Sequence, residues 1–335
     1  MRALVLEAPG IAEVRSVDRT PEANGVLLRV ELVGLCGSDL NSFRNPLVTF
    51  PRILGHEVAA TVISGAKNLA SGTRVTLSPY SSCGQCSSCL TQRFNACRHN
   101  ETLGVQRDGA LREFLQVPEE KLFASDMPLE HLCLVEPLTV GFHAVARGRI
   151  TSNDTVAIIG CGGVGLGAIA SSAFRGARTI AIDRDETKLE TARHAGASDT
   201  IHSGAEDLHT ALARLTGGRG PDVIIEAVGL PQTFRAAVEE VAFAGRVVYI
   251  GYAKEPVTYE TRHFVQKELD IIGSRNALPP DFEEVIAMLK TNQFPIERAI
   301  SRIVSLEETP AILREWSENP RTLRKDYGAR IPPQN

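Results

Sequence analysis

The chain has 335 residues, 43% of them hydrophobic and 23% charged, with a formal net charge of -4 at pH 7. That length exceeds one ordinary core and suits two domains. There is no basic block, which argues against a nucleic-acid partner, and no apolar run approaches the length of a membrane span.

The opening stretch, MRALVLEAPG, has two charged residues, Arg2 and Glu7, and only a short apolar run before Pro9. This is not a signal-peptide pattern, so a cytoplasmic protein is expected. Residues 1 to about 140 are rich in Gly, Pro and short strand-like runs such as VLLRVELVG, VAATVIS and TRVTLSP. They predict a mostly-β, barrel-like domain. Within it, Cys36 lies in ELVGLCGSDLNSF, and His56 and Glu57 are adjacent in RILGHEVAAT. A lone Cys is usually a small apolar filler. Brought together, a thiol, an imidazole and a carboxylate supply the S, N and O ligands of a catalytic zinc with room for water or an alcohol. Glu136, in CLVEPLTVGFHAV, is a further carboxylate of this kind.

Cys83, Cys86, Cys89 and Cys97 fall in CGQCSSCLTQRFNAC. A reducing cytosol disfavours disulfides, and the C-x2-C-x2-C-x7-C spacing offers the full tetrahedral set of sulfurs for one zinc. An iron–sulfur cluster also takes four thiolates, but the Cys-Pro that closes such runs is absent: Arg98 follows Cys97. Four sulfurs leave no open coordination position, so this metal is structural and the chemistry lies elsewhere.

Residues 155–165, TVAIIGCGGVG, form a β-branched run ending in Gly160, Cys161, Gly162, Gly163, Val164 and Gly165. A helical stretch, GLGAIASSAFRGA, follows. This is G-x-G-x-x-G between strand and helix, where the backbone can approach a pyrophosphate at a helix N-terminus. A second strand ends in Asp183, 18 residues past Gly165. An acid there accepts hydrogen bonds from the adenosine ribose and repels a 2′-phosphate, favouring NAD over NADP. The adjacent Arg184 is a basic group that could receive such a phosphate. DTIH, DVIIEAVG, GRVVYIG and ELDIIGS read as four more strands, with helical GAEDLHTALARLTG and PQTFRAAVEEVAF among them. The result is a doubly wound parallel sheet. After 275, PPDFEEVIAMLKTNQF reads as an amphipathic helix and ISRIVSL as a strand of a tail returning to the first domain. The expected division is 1–144 with 275–335, carrying a metal lobe at about 80–100, and 145–274 for the nucleotide.

The motifs GLCGSDL, GHE, EPL, GCGGVG and AID, with the four-cysteine lobe, resemble the zinc-dependent medium-chain alcohol dehydrogenase family over nearly the whole chain. Within it, Glu136 resembles the sorbitol and sugar-alcohol branch, and GSRNALPPDFEEVI is similar to galactonate 5-dehydrogenase-type members. The resemblance implies an α/β chain: a Rossmann doubly wound parallel sheet plus a GroES-like mostly-β catalytic domain. It implies Cys36 and His56 as catalytic zinc ligands, with Glu136 or Glu57 as the third contact. Asp39 would orient His56 by accepting its other ring N–H. Ser38 would first accept the substrate proton. Many relatives carry a relay histidine where this chain has Asn41, which does not titrate near neutral pH, so water would carry the proton onward. Val228 and Gly229, and Ile250 and Gly251, fall where the family contacts nicotinamide and ribose, and Arg275 would reach Glu136 or the cofactor. Phe43, Arg44 and Gln106 are candidates for the substrate pocket, while Cys133 and His143 read as packing residues and Cys161 as the variable position of the glycine loop.

The expected activity is hydride transfer from a secondary alcohol of a polyol, sugar acid or cyclitol to NAD, giving a ketone. The cofactors would be NAD and two zinc ions per chain. The expected partners are a small polyhydroxy substrate and further copies of the chain in a dimer or tetramer. Alternatives are an aminocyclitol dehydrogenase of a biosynthetic pathway or a non-catalytic NAD-binding redox sensor. The intact ligand set argues against the sensor, and Cys36 with the four-cysteine lobe argues against a zinc-free enone reductase.

Overall fold

The computed structural model describes residues 1–18, 25–319 and 327–331. The chain divides into two compact units, Met1–Glu136 with Ile296–Asn335, and Pro137–Pro295. The sequence places these breaks at 144/145 and 274/275. The helix Pro279–Leu289 belongs to the second unit, where Arg175 donates to both carboxylate oxygens of Glu284 at 3.0 and 2.7 Å. In the same unit, His143 Nδ1 meets Asp281 Oδ2 at 2.9 Å between two buried side chains.

The first unit is built mainly of antiparallel strands. One sheet runs in the order Ile11–Ser16, Arg2–Ala8, Arg52–Ile53. The larger sheet runs Leu122–Ala124, Arg74–Leu77, Glu57–Ser64, Val26–Gly34, Tyr327–Arg330, Arg302–Ser305, with Phe114–Val117 also pairing Val26–Gly34. Val26, Leu28 and Val30 are buried and alternate with half-buried neighbours, as a half-covered strand requires. With Val33 they join Leu4, Leu6, Leu54, Leu77, Leu111 and Leu115 in one apolar core.

Register in this sheet bears on the site. Val30 lies opposite Ala60, but Leu32 lies opposite Ala59, so Glu31 is an extra residue in its strand. Such a bulge re-aims the side chains beyond it. Here it sets Gly34 opposite Glu57.

The second unit holds six parallel strands in the order Asp199–His202, Arg178–Asp183, Thr155–Ile159, Val223–Glu226, Arg246–Tyr249, Asp270–Gly273. This is the expected doubly wound sheet. The order reverses between Thr155–Ile159 and Val223–Glu226, where such sheets bind ligands beyond their strand ends. The last three strands are shorter than the sequence suggests. After Glu226 the chain leaves the ladder and turns through Gly229 at φ +85°, a conformation that suits glycine. Among the described residues, no helix is long and apolar enough to cross a membrane.

Candidate active site and metal centres

The four cysteines sit on a small lobe whose stem is the strand Tyr80–Ser81 paired with Glu101–Thr102. Cys86 precedes the helical turn Ser87–Leu90, and Cys97 follows the 3-10 turn Phe94–Ala96. No disulfide joins any of the seven cysteines. Cys86 Sγ lies 3.5 Å from Cys89 Sγ and 3.8 Å from Cys97 Sγ, and Cys97 Sγ lies 3.6 Å from Cys83 Sγ. Four Zn–S bonds of about 2.3 Å in a tetrahedron space the sulfurs about 3.8 Å apart. The lobe therefore fits one zinc ion.

Donors around the lobe favour thiolates. The Cys83 and His99 N–H groups each point at Cys97 Sγ at 3.3 Å. The Ser88 hydroxyl and the N–H groups of Arg98 and Cys89 lower the Cys86 thiol to about 5, whereas burial beside the other sulfurs pushes Cys89 up to about 11.

The second cluster is also assembled within the first unit. Cys36 caps the helix Gly37–Arg44, His56 is buried, and Glu57 opens the strand Glu57–Ser64. One donor atom from each of these three residues lies within 4.8 Å of the others, a grouping able to hold a metal ion. The buried Asp39 carboxylate joins the two loops. Its Oδ2 accepts the Cys36 N–H at 2.8 Å and its Oδ1 accepts the Gly55 N–H at 3.1 Å.

This arrangement changes the expected role of Asp39. His56 Nδ1 is 3.9 Å from Asp39 Oδ1, too far for a hydrogen bond, and has no hydrogen-bond partner among the described residues. Asp39 orients the ligand loops through their backbones. Ser38 Oγ lies 3.5 Å from His56 Nε2. Burial opposes charge on His56, but Asp39, Cys36 and Glu136 outweigh it and raise the imidazole pKa well above its usual value. Groups that hold a proton so firmly favour positive charge among them, which suits a divalent cation.

Glu136, at the start of the helix Val135–Arg147, is buried but stands outside the group of three. It accepts a hydrogen bond from the Tyr80 hydroxyl. Burial, then Glu136, raises the Tyr80 pKa well above its usual value, keeping the phenol a donor. Cys133 also touches this region, its Sγ lying 3.4 Å from the Glu57 carbonyl oxygen.

Gly34 makes room for Glu57: a Cβ there would collide with Glu57 Oε2. Gly34→Ala should therefore displace the carboxylate and lower metal affinity at this cluster about 10- to 100-fold, the usual effect of disturbing a ligand's support. Zinc retained per chain after dialysis against a weak chelator measures this, with circular dichroism checking the fold. Unchanged retention in a folded variant would remove Glu57 from the ligand set.

In the second unit, Gly160 ends the strand Thr155–Ile159 at φ +99°, and a Cβ at Gly165 would collide with the Gly160 carbonyl. Gly162 caps the helix Gly163–Phe174, and a Cβ there would meet nothing within 4 Å. That face of the helix N-terminus suits a phosphate. Val164 lies in the helix's first turn. Asp183 stands beside the loop: its Oδ2 accepts the Cys161 N–H at 2.9 Å, and its Oδ1 accepts those of Arg184 and Asp185 at 2.8 and 3.1 Å. Arg184 is exposed. Val228 is exposed, Ile250 buried, and Arg275 exposed beyond the last strand.

Sequence reasoning missed Glu226. Its buried Oε1 accepts the N–H groups of Val228 and Gly229 at 2.9 and 2.8 Å and the Thr233 hydroxyl at 2.7 Å, shaping the turn after the strand. It also missed Gly34 and Tyr80, whose partners become visible only in three dimensions.

Three proposed pocket residues have other employment. Phe43 is buried in the core. Arg44 donates to Ser317 Oγ at 3.1 Å, and Gln106 Oε1 accepts the Thr102 N–H at 2.8 Å. The packing expectation for His143 is met by its pairing with Asp281.

A family model described as "Alcohol dehydrogenase GroES-like domain" matches residues 22–128, and one described as "Zinc-binding dehydrogenase" matches residues 163–291. The chain is 34% identical over 334 residues to an uncharacterized zinc-type alcohol dehydrogenase-like protein of Haemophilus influenzae, covering 97% of each. It is 31% identical to L-galactonate-5-dehydrogenase of Escherichia coli, over 79% of this chain and 80% of that protein. Its fold matches the crystal structure of a putative zinc-binding dehydrogenase from Sinorhizobium meliloti bound to NADP, with TM-score 0.89, 30% identity and 99% of both chains covered.

Proposed function

The chain belongs to the zinc-dependent medium-chain alcohol dehydrogenase family, and from that premise we propose that it oxidises a secondary alcohol of a polyol, sugar acid or cyclitol to the ketone with NAD. The observation that carries this reading is the Cys36, His56 and Glu57 cluster, with three unlike donor atoms gathered within 4.8 Å. When bound, zinc acidifies the substrate hydroxyl, and the nicotinamide ring takes up the hydride.

The protein's residues supply the rest. Cys36, His56 and Glu57 would hold the ion, and a set of three protein ligands would leave a position for the alcohol. Ser38, beside His56, accepts the hydroxyl proton as the carbon–hydrogen bond breaks, and water carries it onward, because Asn41 cannot titrate. Gly160, Gly162, Gly163, Val164 and Gly165 cradle the pyrophosphate. The turn holding Val228, with Ile250 and Arg275, lies on the nicotinamide side of the cofactor. Cys83, Cys86, Cys89 and Cys97 hold a second, structural zinc.

We infer a cytoplasmic homo-oligomer, dimer or tetramer. Support comes from the edge strand Asp270–Gly273, which has one neighbour in its sheet among the described residues and exposes Ile271.

Asp183 supports NAD as the preferred cofactor, since a carboxylate beside the glycine loop repels a 2′-phosphate. The Sinorhizobium meliloti relative, by contrast, is bound to NADP. Asp183→Ser should shift the ratio of kcat/KM for NAD over NADP towards NADP by about tenfold or more. An unchanged ratio would mean that another group reads the ribose.

The deciding experiment follows reduced-nicotinamide absorbance with NAD or NADP and a panel of polyols, aldonates, cyclitols and simple alcohols. Turnover of a polyhydroxy compound with NAD is expected. Turnover of simple alcohols alone would overturn the substrate class. Silence across the panel, with zinc and NAD bound, would overturn the assignment as a polyol or sugar-acid dehydrogenase.

A further inference from the structure

Glu57 and Glu136 are both buried beside His56, yet only Glu57 joins the Cys36 and His56 donors. If both carboxylates ligated, four protein ligands would surround the ion and leave no place for substrate. We propose that Tyr80 is a positioning residue: its hydroxyl holds Glu136 out of the ligand group and thereby keeps a coordination position open. This inference rests on the assignment of that cluster as the alcohol-binding metal site.

The Tyr80 hydroxyl donates to Glu136 Oε1. Its backbone is held on both sides. Tyr80 pairs with Thr102 in the lobe's stem, and its carbonyl accepts Lys121 Nζ at 2.9 Å. Lys121 also bonds the Ser81 hydroxyl. The phenol is thus fixed from a strand that does not carry any of the four candidate ligands. Cys36 and Glu57 also lie close enough to Tyr80 to raise its pKa, so the ring stands among the donors it sorts. Because Cys83 follows Tyr80 by three residues, the four-cysteine lobe provides the strut that sets this bond.

Without the phenol, Glu136 loses this donor and is freer to turn towards the cation. Tyr80→Phe should therefore hold zinc at this site more tightly while turning over more slowly. The experiment compares wild type, Tyr80→Phe and the double variant Tyr80→Phe/Glu136→Ala, measuring zinc release to a chromogenic chelator alongside kcat. In Tyr80→Phe, release of one of the two ions should slow about tenfold and kcat fall by about the same factor. In the double variant both should return towards wild type, because the carboxylate that closes the site is gone.

Two outcomes overturn the proposal. Unchanged release and kcat in Tyr80→Phe would mean that Glu136 needs no restraint. Faster release of both ions, not reversed in the double variant, would make Tyr80 only a support for the lobe. A failure of the underlying site assignment would look different: wild type would bind one zinc per chain, and Cys36→Ser would not change that number.

Discussion

Cys36→Ser is expected to lower alcohol oxidation by about a thousand-fold or more, equivalent to ~4 kcal/mol of barrier. Bound zinc should fall from two ions per chain to one, and nicotinamide dinucleotide binding should persist. The size follows from what the metal does: with no cation at the hydroxyl, an alcohol must lose its proton near neutral pH unaided. The selectivity follows from location. Cys36 lies in Met1–Glu136, whereas the glycine loop and Asp183 lie in Pro137–Pro295. Serine is close in size, and the Asp39 bond is to the backbone N–H of residue 36, so the helix cap survives. Metal analysis, cofactor fluorescence titration and initial rates check the three parts separately. Retained turnover would sink the assignment of this cluster as catalytic.

The readable parts of the chain were those whose chemistry is local. The glycine loop, its flanking strand and helix, and Asp183 are contiguous enough for spacing alone to predict them. So are the four sulfurs, within fifteen residues of one another. Elements bounded by non-local contacts were less legible. The strand Val223–Glu226 ends early because its last side chain captures the turn that follows. The helix Pro279–Leu289 read as part of the tail because periodicity does not reveal the Arg175 to Glu284 bridge.

At the metal cluster, spacing left Glu57 and Glu136 equivalent. They are distinguished by the bulge at Glu31, which sets Gly34 beneath Glu57, and by Tyr80, whose hydroxyl takes Glu136 from 56 residues away. Neither has a periodic signature. Asp39 shows a related limit: residue type and proximity were right, but its oxygens serve backbone N–H groups, which carry no side-chain signal in the sequence.

Cys97→Ser is the second large effect, and it should act on folding before chemistry. The lobe has little else to hold it. Between residues 80 and 102, the only buried hydrophobic side chains are Cys89 and Cys97, while Leu90 and Phe94 are exposed. A segment of this size without an apolar core depends on its metal, and structural zinc contributes roughly 10–16 kcal/mol in isolated zinc-finger peptides. Cys97 is the most connected ligand, close to the sulfurs of Cys83 and Cys86 and accepting the Cys83 and His99 N–H groups. Serine places a shorter, harder oxygen there, which zinc in a sulfur cage holds poorly. The lobe should open locally while the cores of the two units remain folded. Limited proteolysis should then cleave within residues 82–100 at least about tenfold faster than in wild type, a ~1.4 kcal/mol or greater rise in the open population. Zinc content should fall by one ion. Turnover should drop less than in Cys36→Ser, because the four sulfurs form a group separate from Cys36, His56 and Glu57. Unchanged protease resistance with both ions still bound would mean that the four-cysteine lobe is held by packing and not by zinc.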